Sequence, residues 1–344
     1  MVDVFGLLRD LIAIPSTTGA EGPLADFLCG RLSDLGWTVK QQPLEGDRRN
    51  IFASDGARAK VVLCTHMDTV PGETGAREDE QFIYGRGSCD AKGSAAAMIA
   101  SAERLKADGA AGVGLLFVAG EETDSLGARR ANEWGIGSEF VIVGEPTENR
   151  LGLGHKGTVF VRLSASGKRA HSALPHLGES AVEKLLDLLA DVRGIRFGED
   201  PQLGPTLLNI GHIQGGTAVN VVADEAAALL AIRPSVSVSN VLIRLAEAVA
   251  GRAEMEIITA SEPQRLWTLP GFPTAVFPFG TDIPYLTALG KPFLYGPGSA
   301  VRAHADDERI EKSQIIDAVA GYRGLVLRLL AGEAVLGSPE GRHP

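Results

Sequence analysis

Hydrophobic positions along the chain follow two rhythms. Residues 4–14 and 23–35 carry apolar side chains at helical spacing; Pro15 stops the first run, while Pro23 opens the second, which ends near Gly36. Other stretches are apolar at nearly every position: Val61-Val62-Leu63, residues 113–119 and residues 140–143. Such runs predict strands buried on both faces, as in a parallel sheet. Residues 37–41 and 50–53 predict shorter strands. Residues 94–105 are rich in Ala, which predicts a helix packed closely on two sides, and residues 314–330 predict a closing helix followed by a frayed tail. Strand, loop and helix recur in that order. The pattern is α/β, with functional groups gathering beyond the carboxyl ends of the strands.

The rhythm changes after His155-Lys156-Gly157. Residues 159–165 alternate like a half-exposed strand, residues 180–192 form an amphipathic helix, and residues 206–213 and 226–232 again read as strands. A helix over 240–250 and a strand over 255–259 complete a βαββαβ unit. The α/β character returns past Leu266. The chain thus divides into a discontinuous domain, residues 1–157 and 266–344, and an inserted domain, residues 158–265.

Length and composition change little in this picture but exclude several partners. A chain of 344 residues suits two domains, and 44% hydrophobic with 22% charged residues is ordinary for a globular protein. A net charge of −10 argues against nucleic acid and anionic membranes, both of which select a basic face. Three cysteines, Cys29, Cys64 and Cys89, form no spaced framework and fit a reducing cytoplasm. The first residues, with Asp3 and no basic stretch before an apolar core, do not read as a signal peptide, and no apolar run reaches membrane-spanning length.

The loops at the predicted strand ends carry the chemistry. The Val61 strand runs into His66-Met67-Asp68; alternation along a strand places His66 and Asp68 on one side, so Asp68 can support the second ring nitrogen of a metal-bound His66. Asp90 follows a Gly-rich turn and stands at the head of the Ala-rich helix, where a carboxylate is stabilised in its charged form. Glu121-Glu122 and Glu145 follow the next two strands, and His304 follows a Gly-Pro-Gly turn. Each of these features alone is common at surface loops. Together they make an N/O donor set of the kind zinc accepts. His66, Asp90, Glu122, Glu145 and His304 bring three negative charges, which two Zn²⁺ and one hydroxide would neutralise.

Five segments, THMDTVP, YGRGSCDAKG, GEETDSLGAR, VGEPT and GPGSAVRAH, occur in the order found in the di-zinc aminoacylase/carboxypeptidase family, which the chain resembles from Ile14-Pro15-Ser16 to His304. The family includes acetylornithine deacetylase, succinyl-diaminopimelate desuccinylase and carboxypeptidase G. The resemblance implies a zinc-peptidase-like three-layer catalytic domain with an inserted ferredoxin-like lid and dimerisation domain. It implies that His66 and Glu145 hold one zinc, that Glu122 and His304 hold the other, and that Asp90 bridges them through a residue whose peptide link to Ala91 is cis. It makes Glu121 the general base and Asp68 the support of His66. Co²⁺ or Mn²⁺ could replace the two Zn²⁺.

For the inserted domain the resemblance implies that His171 reaches the active site of a second copy in a homodimer, with His176 a lesser candidate. Asn220, in the Gly-Gly-Thr-Ala-Val-Asn loop, would contact substrate, and Arg233 would pair with a substrate carboxylate, a task suited to a planar cationic fork. Thr281 lies in a segment resembling the catalytic domain's substrate loop. Lys156, in His-Lys-Gly, and Gly296-Pro297-Gly298-Ser299 resemble the acetylornithine deacetylase branch. The desuccinylase arginine is missing, since Ile283 follows Asp282. The Ala-Asp-Asp-Glu segment after His304 departs from the commoner Pro-Asn-Glu or Pro-Asp-Glu. The expected substrate is a small N-acyl amino acid. A dipeptidase, carboxypeptidase or desuccinylase on the same site, or release of lysine or ornithine from a carrier protein, stays open, as does a binding protein that kept the fold.

Overall fold

The computed structural model describes residues 2–72, 75–333, 335 and 337. The residues form two compact units. The first holds residues 2–153, Arg265–Ala275 and the described residues from Thr281 onward; the second holds Gly154–Gln264 and Val276–Gly280.

The first unit is built on a six-stranded sheet in the order Thr38–Pro43, Arg49–Ser54, Val113–Val118, Val61–His66, Phe140–Val143, Lys291–Leu294. The last four strands run parallel. The first two add an antiparallel edge, so the sheet is mixed. On one face, the helices Val4–Ala13, Lys92–Ala107 and Lys312–Leu330 pack against one another and onto the sheet centre. Leu63, Leu115 and Ile142 point into this face and are fully buried there. The alternate residues Val62, Leu116 and Val141 are just as buried on the other side. The short helix Leu126–Asn132 packs on Arg49–Ser54 and Val113–Val118, and Phe52 meets Trp134 edge-on with ring centroids 6.2 Å apart. The result is a three-layer α/β unit. Continuous apolar strands were needed because both faces are covered.

The Ala-rich helix can lie close to its neighbours because Ala96, Ala97, Ala100 and Ala102 present little more than backbone, all buried. The helix Leu126–Asn132 was not anticipated from the sequence. It spans 7 residues, and its buried face is only Gly127, Ala128 and Ala131, too small to make an apolar stripe. Gly127 is required there: a Cβ would fall 2.4 Å from the Ala119 backbone N and O. Asn50 fixes the same corner, donating to the Gly127 carbonyl at 2.8 Å and accepting from the Ala119 N–H at 3.2 Å.

The second unit has a four-stranded antiparallel sheet, ordered Leu207–Gly215, Glu225–Arg233, Thr158–Ser166, Glu254–Ser261. With helices Ala181–Gly194 and Val238–Val249 the chain order is βαββαβ. Val159, Val161 and Leu163 of the central strand are fully buried against this helical layer, while Phe160, Arg162 and Ser164 are half-buried on the open face. Ser180 caps the first helix, its Oγ accepting from the Glu183 N–H at 3.3 Å in an S-x-x-E arrangement. Among the described residues no helix is long and apolar enough to cross a membrane.

Candidate metal centre

The three central parallel strands end within two residues of one another. His66 lies opposite Val118, and Cys64 opposite Val143. The loops that follow therefore project together: Gly120-Glu121-Glu122 on one side of His66 and Gly144-Glu145 on the other. Thr65 joins two of these ends, donating from Oγ1 to the Gly144 carbonyl at 2.8 Å. The N-terminal turn braces them from outside, with Ser16 donating to the Met67 carbonyl at 2.8 Å and Lys92 Nζ to the Ile14 carbonyl at 2.8 Å.

Asp90 sits between the two imidazoles. Its Oδ1 is 3.0 Å from His66 Nε2, and its Oδ2 is 3.4 Å from His304 Nε2. His304 Nε2 is also 2.9 Å from Glu122 Oε1, and His66 Nε2 is 3.9 Å from Glu145 Oε2. Two donors each about 2.1 Å from a tetrahedral zinc stand roughly 3.4 Å apart, so residues spaced like these could hold shared ions. Ligand atoms of His66, Asp90 and Glu122 all fall within 4.8 Å of one another and could hold a metal ion. Glu145 Oε1 is buried with no hydrogen-bond partner, an acceptor that a cation would satisfy. The Asp90–Ala91 peptide is cis.

Burial, together with the charge of Glu145, pushes the Glu121 carboxyl well above its usual range, and burial does the same to Glu145. Burial works against a charged His66, yet hydrogen bonds to Asp68 and Asp90 hold its pKa well above the usual value. Hydrogen bonds to Asp90 and Glu122 push His304 up to about 10. Asp90 is buried, but its two imidazole partners keep its pKa below the usual value. Burial thus disfavours charge on Glu121 and Glu145, and nearby positive charge would favour their ionised forms.

Asp68 plays a broader part than the sequence suggested. The strand ends at His66, and the His66 Nδ1–H donates to the Asp68 backbone carbonyl at 2.9 Å, with the carboxylate farther off at 3.5 Å. This still fixes the tautomer that leaves Nε2 free as a ligand. The carboxylate itself accepts from the N–H groups of Gly120, Glu121 and Glu122 at 2.9, 3.0 and 3.1 Å, and from Thr18 Oγ1 at 2.7 Å. Alternation along a strand could not reveal this, because the bonds form between loops.

The family model for peptidase family M20/M25/M40 matches residues 62–328. A peptidase M20 domain-containing protein of Schizosaccharomyces pombe is 38% identical over 338 residues, covering 94% of this chain and 84% of the yeast protein. A probable carboxypeptidase of Aspergillus terreus is 38% identical over 365 residues, covering 92% and 84%. The fold is similar to that of a tripeptidase from Staphylococcus aureus, with a TM-score of 0.81 at 19% identity over 96% of this chain and 98% of that one. The chain belongs to peptidase family M20/M25/M40. It is a hydrolase of the metallopeptidase kind.

In this M20 peptidase, the residues singled out in the inserted segment lie in the second unit. The segments carrying His171 and Asn220 run side by side: His171 bridges Val221, and the Ser172 N–H donates to the Asn220 carbonyl at 3.0 Å. Both side chains are exposed. Nearby His176, in a short 3-10 turn, is exposed as well. Arg233 Nη1 donates to Thr158 Oγ1 at 2.7 Å. Lys156 is buried and donates to the Pro205 carbonyl, an engagement that its sequence assignment to substrate did not foresee. Thr281, in the first unit, is buried, and its Oγ1 accepts from the Ile283 N–H at 3.1 Å.

Two further carboxylates of the M20 peptidase's first unit escaped the sequence reading. Glu308 holds the Asp90 turn. Asp282 is 2% exposed and its Oδ1 lacks a hydrogen-bond partner. Burial raises its pKa to about 7, against the hydrogen bond from Ser125 and the charge of His66. An acid whose folded pKa lies above its unfolded value loses stability as pH rises between the two. Asp282→Asn should therefore stabilise the metal-free protein at pH 8, on the order of 2–4 kcal/mol, and leave it nearly unchanged at pH 4. Urea midpoints at the two pH values check this; equal shifts at both would show that Asp282 titrates normally.

Proposed function

We propose that this peptidase hydrolyses the amide bond of a small dipeptide or N-acyl amino acid that carries a free α-carboxylate, using two divalent metal ions. The observation that carries the reading is the Asp90 carboxylate, with one oxygen on each of two imidazoles. His66 and Glu145 would hold one ion, Glu122 and His304 the other, and Asp90 both. When bound, such ions polarise a water and the amide carbonyl. Glu121 takes the water proton as the oxygen attacks the carbonyl carbon, and delivers it to the amine nitrogen as the C–N bond breaks. Asp68 keeps Glu121 in place through the loop amides.

Residues 158–265 would serve as lid and dimerisation segment. His171 and Asn220 would contact the reacting end of the substrate, and Arg233 would pair with its carboxylate. The carboxypeptidase name of the Aspergillus relative favours a peptide substrate. Acetylornithine-like deacetylation is the second reading, supported by His155-Lys156-Gly157 and Gly296-Pro297-Gly298-Ser299. A panel of dipeptides, N-acetyl-ornithine, other N-acetyl amino acids and succinyl-diaminopimelate, assayed with and without chelator, separates them. We expect activity to vanish with chelator. Esterifying the α-carboxylate should lower kcat/KM by about 10- to 100-fold, the weight of a charge-assisted hydrogen bond. Turnover unaffected by chelator would overturn the metal assignment.

A further inference from the structure

Glu308 lies four residues beyond His304, in the Ala-Asp-Asp-Glu segment. It is 2% exposed. The short strand Arg309–Glu311 pairs antiparallel with Phe82–Tyr84, and the Gly85 N–H donates to the Glu308 carbonyl at 3.0 Å. This pairing sets the Glu308 side chain under the turn that carries Asp90. Its Oε1 accepts from two consecutive N–H groups, Cys89 at 2.9 Å and Asp90 at 3.1 Å. Its Oε2 accepts from Arg86 Nη1 at 2.6 Å. Before His304 the loop is tied at Ser299, whose carbonyl accepts from Cys89 Sγ at 3.3 Å and from the Arg302 N–H at 2.8 Å; His304 itself has a backbone φ of 61° and a half-exposed side chain.

We propose that Glu308 is a positioning residue that ties the His304 loop to the Asp90 turn and so sets the affinity of one metal position, the one shared by Asp90, Glu122 and His304. The inference rests on the two-metal reading above. The other position keeps His66 on a strand and Glu145 at a strand end, and shares only Asp90 with the Glu308 network. Removing the Glu308 carboxylate strands two N–H donors at the Asp90 turn and cuts the side-chain tie between that turn and the segment after His304. Arg86 is a different matter. Without it, Glu308 still holds both amides.

The test is stepwise Zn²⁺ titration of metal-free protein against a chromophoric chelator, for the wild type, Glu308→Ala, Glu308→Gln and Arg86→Met. In Glu308→Ala one of the two binding steps should fall about 10- to 100-fold beyond any change in the other, the usual effect of losing a partner of a metal ligand. Glu308→Gln keeps a neutral acceptor and should lose at least about threefold in that step alone; it carries the test if the alanine variant does not fold. Arg86→Met should leave both steps within about threefold while lowering thermal stability. Equal weakening of both steps, no weakening, or the same loss in Arg86→Met would overturn the proposal, reducing Glu308 to half of an ion pair. A wild type that binds fewer than two ions would instead overturn the two-metal reading itself.

Discussion

Asp90→Ala is expected to abolish two-metal binding and to lower kcat/KM more than about a thousandfold. A metal supplies several kcal/mol of transition-state charge stabilisation, and each 1.4 kcal/mol is a factor of ten. Asp90 is the one side chain that faces both imidazoles among the described residues, with Oδ1 toward His66 and Oδ2 toward His304. Partners outside a metal's ligand shell already change affinity by about 10- to 100-fold, so a ligand common to two ions must change it by more. Asp90→Asn keeps the volume and loses the charge, and should fall between alanine and wild type in metal content. Metal analysis after dialysis, paired with kinetics, reads both effects. An alanine variant that holds two ions as tightly as wild type would remove Asp90 from its bridging role.

Glu121→Gln should show the opposite split. Metal content should stay at the wild-type level, because Glu121 makes none of the carboxylate–imidazole contacts that join Glu122, Asp90 and Glu145 to the histidines. Its kcat should fall about 10²- to 10⁴-fold, the range for loss of a general base, with KM little changed. The substitution leaves the backbone N–H that bonds Asp68 untouched, so loop position is preserved. Turnover within tenfold of wild type in a metal-replete Glu121→Gln protein would assign the proton transfer elsewhere. Measuring kcat and metal content on the same preparation keeps the two variants distinguishable.

Much of this architecture could be read from local pattern. The strands ending at His66, before Glu121 and before Glu145 announce themselves because a sheet covered on both faces needs unbroken apolar runs. The βαββαβ order of the second unit follows from alternation and helical stripes in turn. What stayed hidden depends on contacts between distant loops. Asp68 looked like a partner of one imidazole, but most of its hydrogen bonds go to amides some 50 residues away. Glu308 stood without a role at the end of the Ala-Asp-Asp-Glu segment; its bonds to Cys89 and Asp90 cross about 220 residues. Leu126–Asn132 was silent because a helix that buries only Gly and Ala leaves no hydrophobic period. No spacing rule along the chain encodes such pairings.

The sixth strand of the first unit has a consequence for biogenesis. Lys291–Leu294 pairs with Phe140–Val143, yet the ribosome makes it roughly 150 residues later, after the whole second unit. At about 5–20 residues per second, the Phe140 edge waits about 7–30 s with its backbone unpaired. An open edge of a buried apolar strand is a template for pairing with other chains. The same delay applies to His304, so on the proposed ligand set a nascent or prematurely ended chain would lack one of its imidazoles. Synthesis order thus leaves the edge at Phe140–Val143 open to pairing with other chains until Lys291–Leu294 arrives.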